Sequence, residues 1–278
     1  MTTIETSRTL AADFATEVRT RLDRIAALAA EGGLDEAIAL LTEAIQAGAV
    51  IQAFGTGHSE AFAMEIAGRA GGLIPTTKIA LRDLVLRGDY DLDTLGGSSM
   101  ERNPNVAEDL WAVSTINPGD VFVIASNSGV NGSIVGMALL AKEHGHPVIA
   151  VTSLEHTMAV QPKHPSGQRL RDVADVVIDN LAPYGDATLA LPSSMRAEPV
   201  EAPSTRPSTS SGRISVPVGS VSSITSAFIA QLLTIGVAER IAATGDVPPL
   251  YLSANIPGGD EHNSKLEAKY EGRIRRGT

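Results

Sequence analysis

A chain of 278 residues, 43% of them hydrophobic, can bury a sizeable core in one α/β domain with additions or in two small ones. Its net charge of -10 argues against nucleic acid or an anionic membrane as the main partner, since both need a basic face. The absence of cysteine excludes a disulfide framework and thiolate chemistry; with polar first residues and no apolar stretch near the length of a bilayer span, a soluble cytoplasmic protein is expected.

In chain order, residues 8–47 read as two helices. Phe14, Val18, Leu22, Ile25, Ala26 and Leu28 make one apolar stripe, and Leu34, Ala37, Ile38, Leu41 and Ile45 a second, with Gly32 and Gly33 breaking them apart. Ala49 to Gly57 is a strand running into Gly55, Thr56, Gly57, His58 and Ser59, after which Ala61, Met64, Ile66 and Ala67 take helical spacing. Leu73 to Ala80 reads as a further strand. Residues 83–104, rich in Gly, Asp and Ser, read as a long functional or flexible loop rather than core. Asn105 to Thr115 is a helix.

Val121 to Ala125 is the central strand, five consecutive apolar residues too short and too β-branched for a helix. It meets Ser126, Asn127, Ser128 and Gly129, and helical spacing begins at Ser133 with Ile134, Met137, Ala138 and Ala141. Such a passage gathers free backbone N–H groups and the positive end of a helix dipole, which suits an anion. Ser126, Ser128 and Asn131 add side-chain donors, so a phosphate held by neutral groups is expected. The same residues also fit an ordinary βα turn with Ser and Asn as caps.

Pro147 to Thr152 and Val173 to Ile178 read as two more strands. Strands separated by helices imply a mainly parallel, doubly wound five-stranded sheet, which binds ligands at the carboxyl ends of its strands. Both polar loops lie on that edge. Residues 193–215, dominated by Pro, Ser, Thr, Ala and Glu, are expected to be a disordered insertion or linker. Val221 to Ala243 is a long apolar helix suited to the core or a subunit interface, and the polar tail from Ser253 leads into a charged helix. The expected organisation is an N-terminal helical segment, 1–47, packed on a main domain, 48–278.

Several motifs are disfavoured or absent. Glu60 replaces the third glycine of a dinucleotide fingerprint after Gly55 and Gly57, where a carboxylate would face the pyrophosphate. No P-loop and no G-x-S-x-G elbow is present, and the six histidines include no pair with metal-ligand spacing on a clear helix. Neither a metal nor an organic cofactor is expected. What stands out is that Ser59 lies beside Gly57 as Ser128 lies beside Gly129, so two hydroxyl loops could converge on one polyol phosphate. Glu65, about one and a half turns into the helix after Ser59, could act as a general base, with Glu60 as its competitor. His262, with Glu261 and Asn263, is the polar cluster of the tail, and a helix cap with solvated charges is its plainer reading.

The loop Ser126-Asn127-Ser128-Gly129 after an apolar strand, with Gly55-x-Gly57-x-Ser59 after an earlier one, resembles the SIS (sugar isomerase) domain. The resemblance covers roughly residues 35–245, and the closing SANIPGGDEHNSKL with HPSG at His164 to Gly167 is similar to one bacterial branch of that superfamily. It implies an α/β phosphosugar-binding fold in which Ser59, Ser126 and Ser128 hold the phosphate. Asn131 stands where many members have Thr, and Ser133 where many have an acidic residue. The segment Ala63 to Arg69 resembles that of phosphoheptose isomerases, which implies Glu65 as base. A histidine near the chain's end is implied too, and His262 fills that place. The resemblance further implies a homodimer or higher homo-oligomer acting on a phosphorylated sugar as an aldose–ketose isomerase, with two alternatives. One is a lyase or etherase on an amino-sugar phosphate; the other is a non-catalytic phosphosugar sensor.

Overall fold

In the computed structural model, which describes residues 2–196 and 213–275, the chain opens with α1 (Thr2–Ala30) and α2 (Asp35–Gln46). Then come β1 (Ile51–Gly55), α3 (Glu60–Ile66), β2 (Thr76–Ile79), α4 (Asp83–Arg87), α5 (Ser99–Arg102), α6 (Val106–Ala112) and β3 (Val121–Ala125). The second half holds α7 (Gly132–Glu143), β4 (Val148–Thr152), α8 (Leu154–Ala159), α9 (Leu170–Val173), β5 (Val176–Asp179), β6 (Ala187–Arg196), β7 (Arg213–Ser220), α10 (Ser222–Ala243) and α11 (Gly259–Glu267).

The first five strands form one parallel sheet in the order β2-β1-β3-β4-β5. Strand side chains alternate between faces, and here both faces are covered. Ile51 and Ala53 of β1, Val121 and Val123 of β3 and Ile149 and Val151 of β4 meet α2, α3 and α10 on one side. Phe54, Phe122, Ile124, Val148 and Ala150 meet α6 and α7 on the other. That is why these strands are apolar throughout rather than alternating. The doubly wound parallel sheet expected from the sequence is the fold found.

Residues 83–104 are not the open loop without core residues that the sequence suggests. They fold into α4 and α5 with a short 3-10 turn between, and they bury Leu84 and Met100 in the second core layer. Leu84 and Met100 are turned inward, while Leu86 and Leu92 stay exposed. The ends of the expected insertion, 193–196 and 213–215, continue β6 and β7, which pair antiparallel as a separate two-stranded ribbon. The rest of that stretch, 197–212, lies outside the described residues.

The sequence reading found no stretch approaching a bilayer span, yet α10, at 22 residues, is long and apolar enough by composition to cross one. Its apolarity has a local cause. Ile229, Ala230, Leu233, Val237 and Ile241 are buried against α2 and α3. The tail returns to the opposite end of the sheet: Leu250 bridges Leu73 just before β2, and Arg273 donates to the Gly48 carbonyl at 2.7 Å just before β1.

Candidate functional site

Strand order fixes where the two hydroxyl loops meet. The chain leaves β1 for β2 on one side and later returns to place β3 on the other, so β1 and β3 flank a topological switch point, where such sheets bind ligands. Gly55 and Ala125 are register partners, and the loops that follow them emerge side by side. Gly55 has no room for a side chain: a Cβ there would lie 2.3 Å from the Ser59 carbonyl oxygen.

The second loop is pinned from within and behind. The Gly129 N–H donates to the Ser126 Oγ at 3.1 Å, closing the turn, and Gly129 itself takes φ +63°, the left-handed region. The Asn127 carbonyl accepts from the Ser153 N–H at 3.2 Å and its Oδ1 from the buried Asn180 Nδ2 at 3.2 Å. Ser59, Phe62, Ser126, Asn127 and Asn180 then line a narrow polar recess closed by Ser222 and Ser226 at the start of α10. Ser126 thus serves the loop itself, whereas the Ser59 and Ser128 hydroxyls have no hydrogen-bond partner among the described residues. The first turn of α7 carries no side-chain cap, so its N–H groups face the same space.

Two charged groups missed in the sequence reading reach this crevice. The Glu101 carboxylate lies across both loops: its Oε2 accepts from Thr56 Oγ1 at 3.4 Å and from Asn131 Nδ2 at 3.3 Å. Its Oε1 would be 3.0 Å from a Cβ at Gly57. The Glu101 carbonyl accepts from Ser133 Oγ at 2.9 Å, and α5 runs so close to α7 that a Cβ at Gly132 would sit 2.3 Å from the Arg102 carbonyl oxygen. Lys163 donates to Asn131 Oδ1 at 3.4 Å from the far side. Asn131 therefore joins an acid and a cation at the mouth of α7. Gly132 at the start of α7, where a side chain would meet the Arg102 carbonyl, is the sequence signal for this approach.

The expected catalytic residues are placed apart from these loops. Glu60 pairs with Lys78 at 2.9 Å and with Arg82 beside the β2 edge. Glu65 pairs with Arg69 and accepts from Gln231 Nε2 at 2.9 Å, tying α3 to α10. His262 bonds the Leu250 carbonyl through Nε2 at 3.0 Å, at the end of the sheet opposite the loops within one chain. Of the expected phosphate set, Gly57, Ser59, Ser126, Ser128, Gly129 and Asn131 are brought to one crevice. Among the described residues, no three His, Asp or Glu side chains gather into a metal-binding set.

A doubly wound α/β domain with hydroxyl-lined loops at its switch point defines a small-ligand-binding protein rather than a structural one. The chain belongs to the SIS domain family, whose model matches residues 13–153. It is 37% identical over 241 residues to a UPF0309 protein of Geobacillus kaustophilus, covering 87% of this chain and 86% of that one. It is 33% identical over 260 residues to a UPF0309 protein of Caldanaerobacter subterraneus, covering 93% and 96%. Among solved structures it is similar to a phosphoheptose isomerase from Neisseria gonorrhoeae, at a TM-score of 0.46 and 18% identity, over 85% of this chain and 98% of that one.

Proposed function

We propose that the protein is an enzyme that binds a phosphorylated sugar at the β1/β3 switch point and interconverts its aldose and ketose forms. The observation that carries this reading is the Glu101 carboxylate lying against both hydroxyl loops, 3.4 Å from Thr56 Oγ1 and 3.3 Å from Asn131 Nδ2. Ser59, Ser128 and the uncapped first turn of α7 hold the phosphate, and Lys163 adds a charge-assisted contact. Gly57 and Gly129 let the backbone approach it, and Ser126 and Asn131 hold the loop in shape. A carboxylate beside that anion is placed to take the proton from the carbon next to the carbonyl. It then returns the proton to the former carbonyl carbon, while the proton of the adjacent hydroxyl passes to the former carbonyl oxygen, so the two isomers balance. Glu101 takes the role of base ahead of Glu65 and Glu60, whose carboxylates are engaged by cations elsewhere. A homodimer fits α10, which buries one face in the core and leaves Ile224 and Ile235 exposed, and a second copy is the route by which His262 would enter a site.

The test is a panel of sugar phosphates followed by both ligand binding and isomer ratio. Glu101→Gln should lower kcat by roughly 100- to 10,000-fold while leaving the dissociation constant nearly unchanged. If Glu65→Gln or Glu60→Gln does this instead, the base is on α3. Tight binding with no turnover of any sugar phosphate by the wild type would make the protein a sensor.

A further inference from the structure

Along the outer edge of β2, a chain of net charge -10 gathers positive charge. There α3, β2, α4 and the tail enclose a pocket of about 310 Å³ lined by Arg69, Lys78, Arg82, Arg87 and Arg275, with Met64 as part of its apolar wall. That volume falls within the range of small-ligand sites. Three carboxylates answer the five cations: Glu60 for Lys78 and Arg82, Glu65 for Arg69, and Asp83 for Arg87 at 3.5 Å. Arg275 has only neutral acceptors, the Val113 carbonyl at 3.2 Å and Thr115 Oγ1 at 3.3 Å. Two positive charges are therefore left without a counter-charge in a concave space. Lys78, moreover, is drawn in until 14% of its side chain is exposed.

We propose that this pocket is a second binding site, separate from the hydroxyl loops, for a small organic dianion of the phosphoryl class. Guanidinium forks match phosphoryl oxygens two at a time, and four of the five cations are arginines. Two charges on the ligand match the two left over. The exposed Met64 offers a face for the ligand's carbon skeleton. Glu60 already occupies part of this role: its carboxylate bridges Lys78 and Arg82 as an incoming oxyanion would, and the ligand competes with it.

Inorganic pyrophosphate is the probe, titrated calorimetrically into the full chain, its Ser128→Ala variant and an Arg69→Gln/Arg87→Gln double variant. Ser128→Ala should keep a pyrophosphate site, and the double variant should bind there at least tenfold more weakly while keeping its thermal melt. Should the double variant fail to fold, Arg275→Gln must show the same loss. Pyrophosphate binding that disappears in Ser128→Ala, or that the arginine variants leave unchanged, overturns the proposal. Binding retained by Ser128→Ala, together with no phosphosugar bound by the wild type, would leave this site standing and remove the function proposed for the loops.

Discussion

At the N-terminal ends of β1 and β3 the carboxylate of Asp120 is fully buried and surrounded by donors. It accepts from the Val50 N–H, Gln52 Nε2 and the Asn117 N–H at 2.9 Å each, and from Arg273 at 2.7 Å. At the C-terminal ends of the same two strands the Ser59 and Ser128 hydroxyls have no hydrogen-bond partner among the described residues, and the nearest carboxylate is held by bonds of 3.3 and 3.4 Å. One end spends its polar groups on one another and so holds the tail to the sheet. The other leaves part-exposed hydroxyls free to meet an incoming anion. Gln52 Oε1, Asn117 Nδ2 and Arg273 Nε at the Asp120 end are also buried without a partner among the described residues, so unmet polar atoms mark a site only where a ligand can reach them.

The comparison breaks hardest at Asp120. Asp120→Ala strands the buried Val50 N–H and Gln52 amide and removes the counter-charge of Arg273. Losing one partner of a buried charged pair costs about 3–5 kcal/mol, to be read as a lower urea midpoint. Affinity for ligand per folded molecule should stay as it was. A midpoint that does not move would mean that the tail is not anchored through this residue.

Substitutions at the open end should reverse the pattern. Gly129→Ala forces a Cβ onto a residue at φ +63°, where it would lie 3.0 Å from Thr152 Oγ1 and 3.1 Å from Thr157 Oγ1. The backbone term alone costs about 1–2 kcal/mol, and the displaced turn should lose ligand binding as well. Ser128→Ala, by contrast, removes a hydroxyl that bonds nothing, so stability should change by less than about 0.5 kcal/mol. Its phosphosugar affinity should fall roughly 10- to 100-fold, the worth of one hydrogen bond to a charged group. If Ser128→Ala destabilises the fold and spares binding, the hydroxyl is structural.

This contrast also explains what could be read in advance. β1, β3 and their turns were legible because apolar runs ending in glycine and serine are local signals, and the switch point follows from strand order. The cluster at Asp120 was not, since its donors come from residues 50, 52, 117 and 273 and only the fold unites them. Glu101 and Lys163 were missed for the same reason, each reaching Asn131 from some thirty residues away. The β6–β7 ribbon had a local signal in the alternating Ile214, Val216 and Val218, which the surrounding Pro, Ser and Thr concealed.

The smallest effect sharpens the comparison by acting behind the open end alone. His156 Nδ1 accepts from the Gly185 N–H at 2.9 Å, and the His156 backbone N–H donates to Ser153 Oγ, next to the Ser153 N–H that holds the Asn127 carbonyl. Burial pushes the His156 pKa below its ordinary 6.5, and Lys163 adds to that push against the opposing pull of Asp186 and Glu155. The folded state thus favours the neutral ring. Its contribution is complete above the unfolded value of about 6.5 and is lost as pH falls through the lower folded value. Protonating Nδ1 also removes the acceptor for Gly185. His164, lowered by burial and accepting from the Ser166 N–H at 3.1 Å, adds a contribution of the same sign. Between about pH 8 and about pH 5, wild type should therefore lose slightly more stability than His156→Gln. Protection of the Asn127 to Val130 amides, measured against their intrinsic exchange rate at each pH, should fall before that of Val50, because the acid-sensitive groups lie behind the loops and not at Asp120. Identical pH profiles for the two proteins would remove His156 from this role.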